Sequence, residues 1–165
     1  MKTFNKLYLS LILLSSSLFA VEKSYSFIGI QTGGSSIKKE FVPKIGLRYG
    51  IQTKKFRTTL SYDYAKKSNN KYQTFIMQMD TGIFSSIFRN SLVKPYAGVS
   101  IGVMQEDDLH CSCTDRGYVY GINTGLAYIF NDNLDFDLGY RYLETSKIKD
   151  IASLSDLSLS MHYFY

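Results

Sequence analysis

Ser153–Tyr165 reads SLSDLSLSMHYFY, and it sets out the fold in small. Leu157, Leu159, Met161, Tyr163 and Tyr165 fall on every second position, while Asp156, Ser158, Ser160, His162 and Phe164 take the alternate ones. A period of two is the signature of a strand, whose successive side chains point to opposite faces. One face here is apolar, the other is mostly small and polar, and the pattern runs to the final residue. A barrel strand in a membrane has this character, apolar towards lipid and polar towards a lumen.

The same period recurs upstream. Ile45, Leu47, Tyr49 and Ile51 alternate with Lys44, Gly46, Arg48 and Gly50. Phe56, Thr58, Leu60, Tyr62 and Tyr64 oppose Arg57, Thr59, Ser61, Asp63 and Ala65. A fourth strand sets Phe75, Met77, Met79, Thr81 and Ile83 against Thr74, Ile76, Gln78, Asp80 and Gly82, with Ile76 an apolar intruder. Val93–Met104 gives a fifth, 118–130 a sixth, and 134–143 the most strictly alternating of all, Leu134, Phe136, Leu138, Tyr140 and Tyr142 against Asp135, Asp137, Gly139, Arg141 and Leu143. Tyr25–Thr32 supplies a first strand whose facing is ambiguous, since Tyr25 and Phe27 argue one way and Ile28 and Ile30 the other. The total is eight, each near the length a tilted strand needs to cross a bilayer.

The connections read as polar loops at 33–40, 66–71, 105–116 and 146–152 and as turns at 52–55, 85–92 and 131–133. With both chain ends on the periplasmic side the first set faces outward, where longer loops are expected. Three pairings fit, and the 85–92 connection is long for a periplasmic turn.

The amino terminus carries an export signature. Lys2 and Lys6 precede the apolar Leu7–Leu14, and Ser15–Ala20 forms a small-residue exit. The expected division is a signal peptide over 1–20, cut after Ala20, and a barrel over 21–165. No later apolar run is long enough for a spanning helix.

Composition agrees. Among 165 residues there are 14 tyrosines and 11 phenylalanines but no tryptophan and two prolines. Tyrosine suits both strands and membrane interfaces, where its ring is buried and its hydroxyl stays wet. Without Lys2 and Lys6, the 19 basic residues become 17 against 14 acidic. The surplus is scattered in lysine pairs, so nucleic-acid binding is not expected; such lysines suit lipid phosphates or solvent.

On the membrane reading Arg48, Arg57, Asp63, Asp80, Asp135, Asp137, Arg141 and Asp156 point inward. Charges in a narrow lumen must pair, because an unpaired buried ion costs several kcal/mol. The expectation is a lumen charge network that holds the barrel shut; a gated path for ions or small solutes is the alternative. His110, Cys111, Cys113 and the acids around them form the one compact set of potential ligands. A lone Cys-x-Cys is a weak metal signal, and a loop disulfide between Cys111 and Cys113 is preferred in an oxidising compartment. Ser158, Ser160 and His162 share a face, but near the periplasmic rim, so neither a catalytic site nor a cofactor nor a metal is expected.

The signal at 1–20, the Pro95–Gly102 strand PYAGVSIG, Gly121 and Gly125 on the next strand, and the aromatic-ended 153–165 together resemble the OmpA/OmpX-type family of small eight-stranded outer-membrane barrels. The resemblance implies an all-β, antiparallel, up-and-down transmembrane barrel, monomeric and located in the outer membrane of a Gram-negative envelope. It also implies that Leu157, Leu159, Met161, Tyr163 and Tyr165 serve as the signal read by the barrel-assembly machinery. The expected partners are outer-membrane lipid and an extracellular or host surface, and the expected role is structural or surface interaction. The soluble rival is an exported lipocalin-like ligand-binding barrel, which requires the opposite facing.

Overall fold

The computed structural model describes residues 24–38, 40–68, 70–83, 91–108, 113–148 and 151–165; the segment read as a signal peptide lies outside them. Eight strands follow one another: β1 (Tyr25–Ile37), β2 (Glu40–Gln52), β3 (Phe56–Lys67), β4 (Asn70–Thr81), β5 (Val93–Asp108), β6 (Cys113–Asn131), β7 (Leu134–Ser146) and β8 (Ser153–Phe164). Each pairs antiparallel with its neighbour, and β1 with β8 closes the barrel. Closure leaves no sheet edge unpaired, as a bilayer demands of a β structure.

The register fixes the geometry. Partners starting from Phe27 run through Gly50, Thr59, Gln78, Ser100, Gly121, Leu143 and Leu154 and return to β1 at Ile37. One circuit therefore climbs from position 27 to position 37. For eight strands at ordinary spacings this stagger corresponds to a tilt of about 40°.

Facing excludes the soluble barrel. Ile45, Leu47, Val99, Ile101 and Ile122 on the outer wall are each more than half exposed, whereas Arg57, Asp80, Asp137 and His162 are fully buried within. Apolar exposure on this scale has to be covered, and lipid covers it. The ambiguity of β1 resolves the same way: Ile28 and Ile30 face out, and Phe27 is buried in the lumen. Its ring packs against His162, with centroids 4.8 Å apart, and Phe164 at 5.2 Å. Tyr25, Phe56, Tyr128, Tyr163 and Tyr165 ring the end where β1 begins and β8 finishes, called here the terminal end. Tyr62, Tyr64, Tyr118, Tyr120 and Tyr142 lie nearer the opposite, hairpin end.

Three of the expected loops are corrected. Residues 33–37, 66–67, 70–71, 105–108 and 113–116 are strand rather than loop. The composition GGSS suggested a turn, but at Gly33 the β1 backbone closes on β8 so tightly that a Cβ would meet the Leu157 carbonyl, and at Gly34 the Phe41 ring takes the space instead. The strand that ends at Ile37 and the one that ends at Lys67 each pass into a left-handed residue, Lys38 at φ 51° and Ser68 at φ 50°. Hairpin turns favour such left-handed residues because they match the strand twist. The widest sequence gap between successive strands, from Thr81 to Val93, falls at the terminal end.

Candidate functional site: the sealed lumen

The lumen is built in layers. At its centre are two charged groups held mainly by β3 and β7, which stand four strands apart and so face each other across the barrel. Towards the hairpin end, Arg141 Nη2 donates to Asp63 Oδ2 at 2.8 Å and to Asp156 Oδ2 at 2.9 Å, and Lys44 Nζ donates to Asp156 Oδ2 at 2.7 Å. Gln31 gives its amide to Asp63, and Arg141 Nη1 reaches Ser61 Oγ at 3.3 Å.

Towards the terminal end the donors change strand. Arg57 on β3 donates Nη1 to Asp137 Oδ2 at 3.3 Å and Nη2 to Asp135, while its Nε donates to Gln52 Oε1 at 2.6 Å. Tyr96 donates its hydroxyl to Asp137 Oδ1 at 2.7 Å, and His162 Nδ1 lies 2.6 Å from Asp135 Oδ1. Arg48 Nη1 donates to Ser160 Oγ at 3.0 Å and stands 3.8 Å from Asp137. Asp80 makes no ion pair among the described residues; Gln78 Nε2 donates to its oxygens at 2.8 and 3.0 Å, and Asn123 donates as well.

All eight charged positions expected in the lumen are buried there. By themselves they are three arginines against five aspartates, a surplus that a low-dielectric interior would not tolerate. Two further buried cations, Lys44 and Lys94, bring the described set below the hairpin-end cap to five cations and five carboxylates. Both sit on the inward parity of β2 and β5, so a demand for neutrality could have recruited them from sequence.

The ends are apolar. Val42, Tyr72, Met104, Val119, Leu143 and Leu154 fill the lumen at the hairpin end, and Ile148 and Ile151 from the β7–β8 connection fold in over them. Expecting a polar lumen throughout missed this cap, although Ile76 and Leu143 already broke the inner polarity. At the terminal end Phe27 and Phe164 lie beneath the Arg57 guanidinium, 5.4 and 5.9 Å from its carbon, and Ile83, Tyr96 and Ala127 form a second buried cluster. A cavity of about 10 Å³ between the cap and the Lys44–Asp156 pair has room for about one water.

His110 and Cys111 lie outside the described residues. Cys113, at the start of β6, is disulfide-bonded. Among the described residues no group of three His, Cys, Asp or Glu side chains is placed to hold a metal. The alternating terminal set Leu157, Leu159, Met161, Tyr163 and Tyr165 faces outward, and the Tyr165 amide donates to the Ser26 carbonyl at 3.0 Å, extending the closing seam to the last residue.

A family model described as outer membrane protein beta-barrel domain matches residues 14–163. No curated protein matches the sequence. Among solved structures, Neisserial surface protein A is similar with a TM-score of 0.69 at 18% identity, covering 86% of this chain and 97% of that one. Outer membrane protein H of P. aeruginosa gives 0.64 at 17% identity, covering 86% and 99%. The outer membrane enzyme PagL gives 0.51 at 14% identity, covering 83% and 98%. At these identities the likeness is one of fold.

Proposed function

Because the chain belongs to the outer membrane protein beta-barrel domain family, we propose that it is a non-conducting outer-membrane barrel with a structural or surface-interaction role, its termini on the periplasmic side. The observation that carries this reading is the sealed lumen: a neutral, cross-braced ion layer between an apolar cap and an aromatic floor. An ion crossing it would have to displace Leu154 and Met104 at one end and part Arg57 from two carboxylates at the other. Either step exposes charge to a medium that solvates it poorly.

A narrow pore would need a continuous wet path, and the cap interrupts one. The burial of His162 supports a non-enzymatic reading: its ring is fully buried, Asp135 occupies its Nδ1, and Phe27 covers its face, which leaves no approach for a lipid substrate. The same fold does serve catalysis in PagL, so the reading rests on these residues rather than on architecture. A surface role is supported by the likeness to a protein named for its surface location, and by charged side chains such as Lys66, Lys67 and Arg116 at the hairpin end. The barrel acts as a monomer delivered by the assembly machinery.

Planar-bilayer recording of the purified barrel tests the proposal. The wild-type protein and Arg141→Ala are both expected to leave the membrane at baseline conductance. Reproducible unitary steps from the wild-type barrel would overturn it in favour of the pore.

A further inference from the structure

On the outer wall at the hairpin end, the registers of β3 to β6 stack side chains in rows. Tyr62, Phe75, Val103 and Tyr118 form one apolar row. The next row outward reads Tyr64, Gln73, Gln105 and Arg116, and the one beyond it Lys66, Lys71, Asp107 and Thr114. An apolar floor thus gives way within two residues to a polar and cationic rim, the transition a lipid makes between chain and headgroup.

The two rows enclose a wall cleft of about 450 Å³ whose lining adds Lys147 from the β7–β8 connection. Lys147 holds φ at 70°, unusual for a residue with a Cβ, and its ammonium lies 5.5 Å from the centroid of the Tyr118 ring. Ile148, the next residue, turns inward into the cap. The connection therefore places a cation outside the wall and an apolar side chain inside it.

The rim is ordered before any ligand arrives. Arg116 Nε donates to Gln105 Oε1 at 2.8 Å, which fixes the plane of the guanidinium, and the Tyr62 hydroxyl donates to Gln73 Oε1 at 2.8 Å. Among the described residues two carboxylates stand near: Asp107, which accepts from Thr114 at 2.8 Å, from Gln105 at 3.0 Å and from Gln73 at 3.4 Å, and Glu144, which pairs with the Tyr120 hydroxyl on the neighbouring strand. Their two charges are set against those of Arg116, Lys147 and Lys71, so the described rim keeps a cationic surplus.

We propose that this cleft is a binding site for a phosphate-bearing membrane lipid, with an acyl chain over Phe75, Val103 and Tyr118 and the phosphate between Arg116 and Lys147. The location in the lipid-facing wall makes a lipid the occupant: chain and headgroup must be met at this depth together. The site depends on membrane residence and not on whether the lumen conducts, so its failure would leave the sealed-lumen reading intact.

The test uses the absence of tryptophan from the chain. The full barrel carrying Tyr118→Trp is reconstituted in phosphatidylcholine vesicles, and quenching is measured with brominated-chain phosphatidic acid and with brominated-chain phosphatidylcholine. Two cations near a headgroup are expected to favour the phosphatidic acid by at least about five-fold. The preference should fall close to one when Arg116→Gln and Lys147→Gln are added, and should persist when Lys54→Gln and Lys55→Gln remove the same charge from the other end. A reporter at Ile45→Trp, on the far wall, should show little preference. Equal quenching by both lipids at Tyr118→Trp, or a preference that survives the Arg116 and Lys147 substitutions, overturns the proposal.

Discussion

Arg141 and Asp63 meet across the full width of the barrel, Nη2 to Oδ2 at 2.8 Å, although β7 and β3 share no edge. The exchange is reciprocal, because Arg57 of β3 reaches back to Asp137 of β7 at 3.3 Å. Each strand of this opposed pair supplies the cation at one level and the carboxylate at the other. The lumen is therefore tied across its diameter twice, with opposite polarity.

The first prediction follows from that tie. Arg141→Met leaves Asp63 and Asp156 sharing only Lys44 and should destabilise the barrel by about 3–5 kcal/mol. The double variant Asp63→Leu/Arg141→Met removes one charge of each sign and keeps the Lys44–Asp156 pair of 2.7 Å. It should recover most of the loss. Urea unfolding in detergent micelles measures both; a double variant less stable than the single would show that the pair contributes more than mutual neutralisation.

The cap gives the second prediction. Leu143 and Met104 are almost wholly buried in it. Leu143→Ala should cost about 2–5 kcal/mol, as truncation in a packed interior does. Leu138→Ala, five residues away but facing lipid, should cost far less, because lipid fills the space. Similar losses at the two positions would contradict the assigned facing.

The strands were legible where a long stretch obeyed one period. From 134 to 142 every odd–even choice has a chemical contrast, and β7 follows it; Tyr25–Thr32 lacked that contrast because apolar residues occupy both parities, with Phe27 inward to cover Arg57 and Ile28 outward to lipid. Polar composition concealed strand at Gly33–Ile37 and at 105–108, where the wall continues beyond the lipid and its outer face has no reason to be apolar. Arg48 and Asp137 could be assigned to the lumen by parity alone. That Arg57 would take Asp137 rather than the nearer-in-sequence Asp63 depends on shear, a property of eight registers together and of no single strand. The cap was hidden for a related reason: Val42, Met104 and Leu154 come from three separate strands, and only closure brings them to one level.

Lipid-facing charge supplies the third prediction. Leu47 is well exposed in the apolar band, and Leu47→Arg should destabilise the barrel by about 2–4 kcal/mol, whereas Lys66→Arg, above the band, should be neutral. Refolding titrations into phosphatidylcholine vesicles read the difference. Equal stability of the two variants would place Leu47 outside the hydrocarbon.

The last residue separates assembly from stability. Tyr165 lies beyond the final β1–β8 partner pair, Phe27 with Phe164, and adds one backbone hydrogen bond to Ser26 at 3.0 Å. Deleting it should reduce the stability of the folded barrel by only about 1 kcal/mol, the usual net worth of one such bond. If its ring is also what the assembly machinery reads, the deletion should lower the amount of heat-modifiable barrel in the outer-membrane fraction several-fold, while refolding of the purified chain into detergent proceeds as before. Tyr165→Phe keeps the aromatic and should restore the level in cells. Normal outer-membrane levels of the deletion would remove the signal role and leave Tyr165 as the end of a seam, and a parallel loss in detergent refolding would assign its effect to closure of β8 on β1.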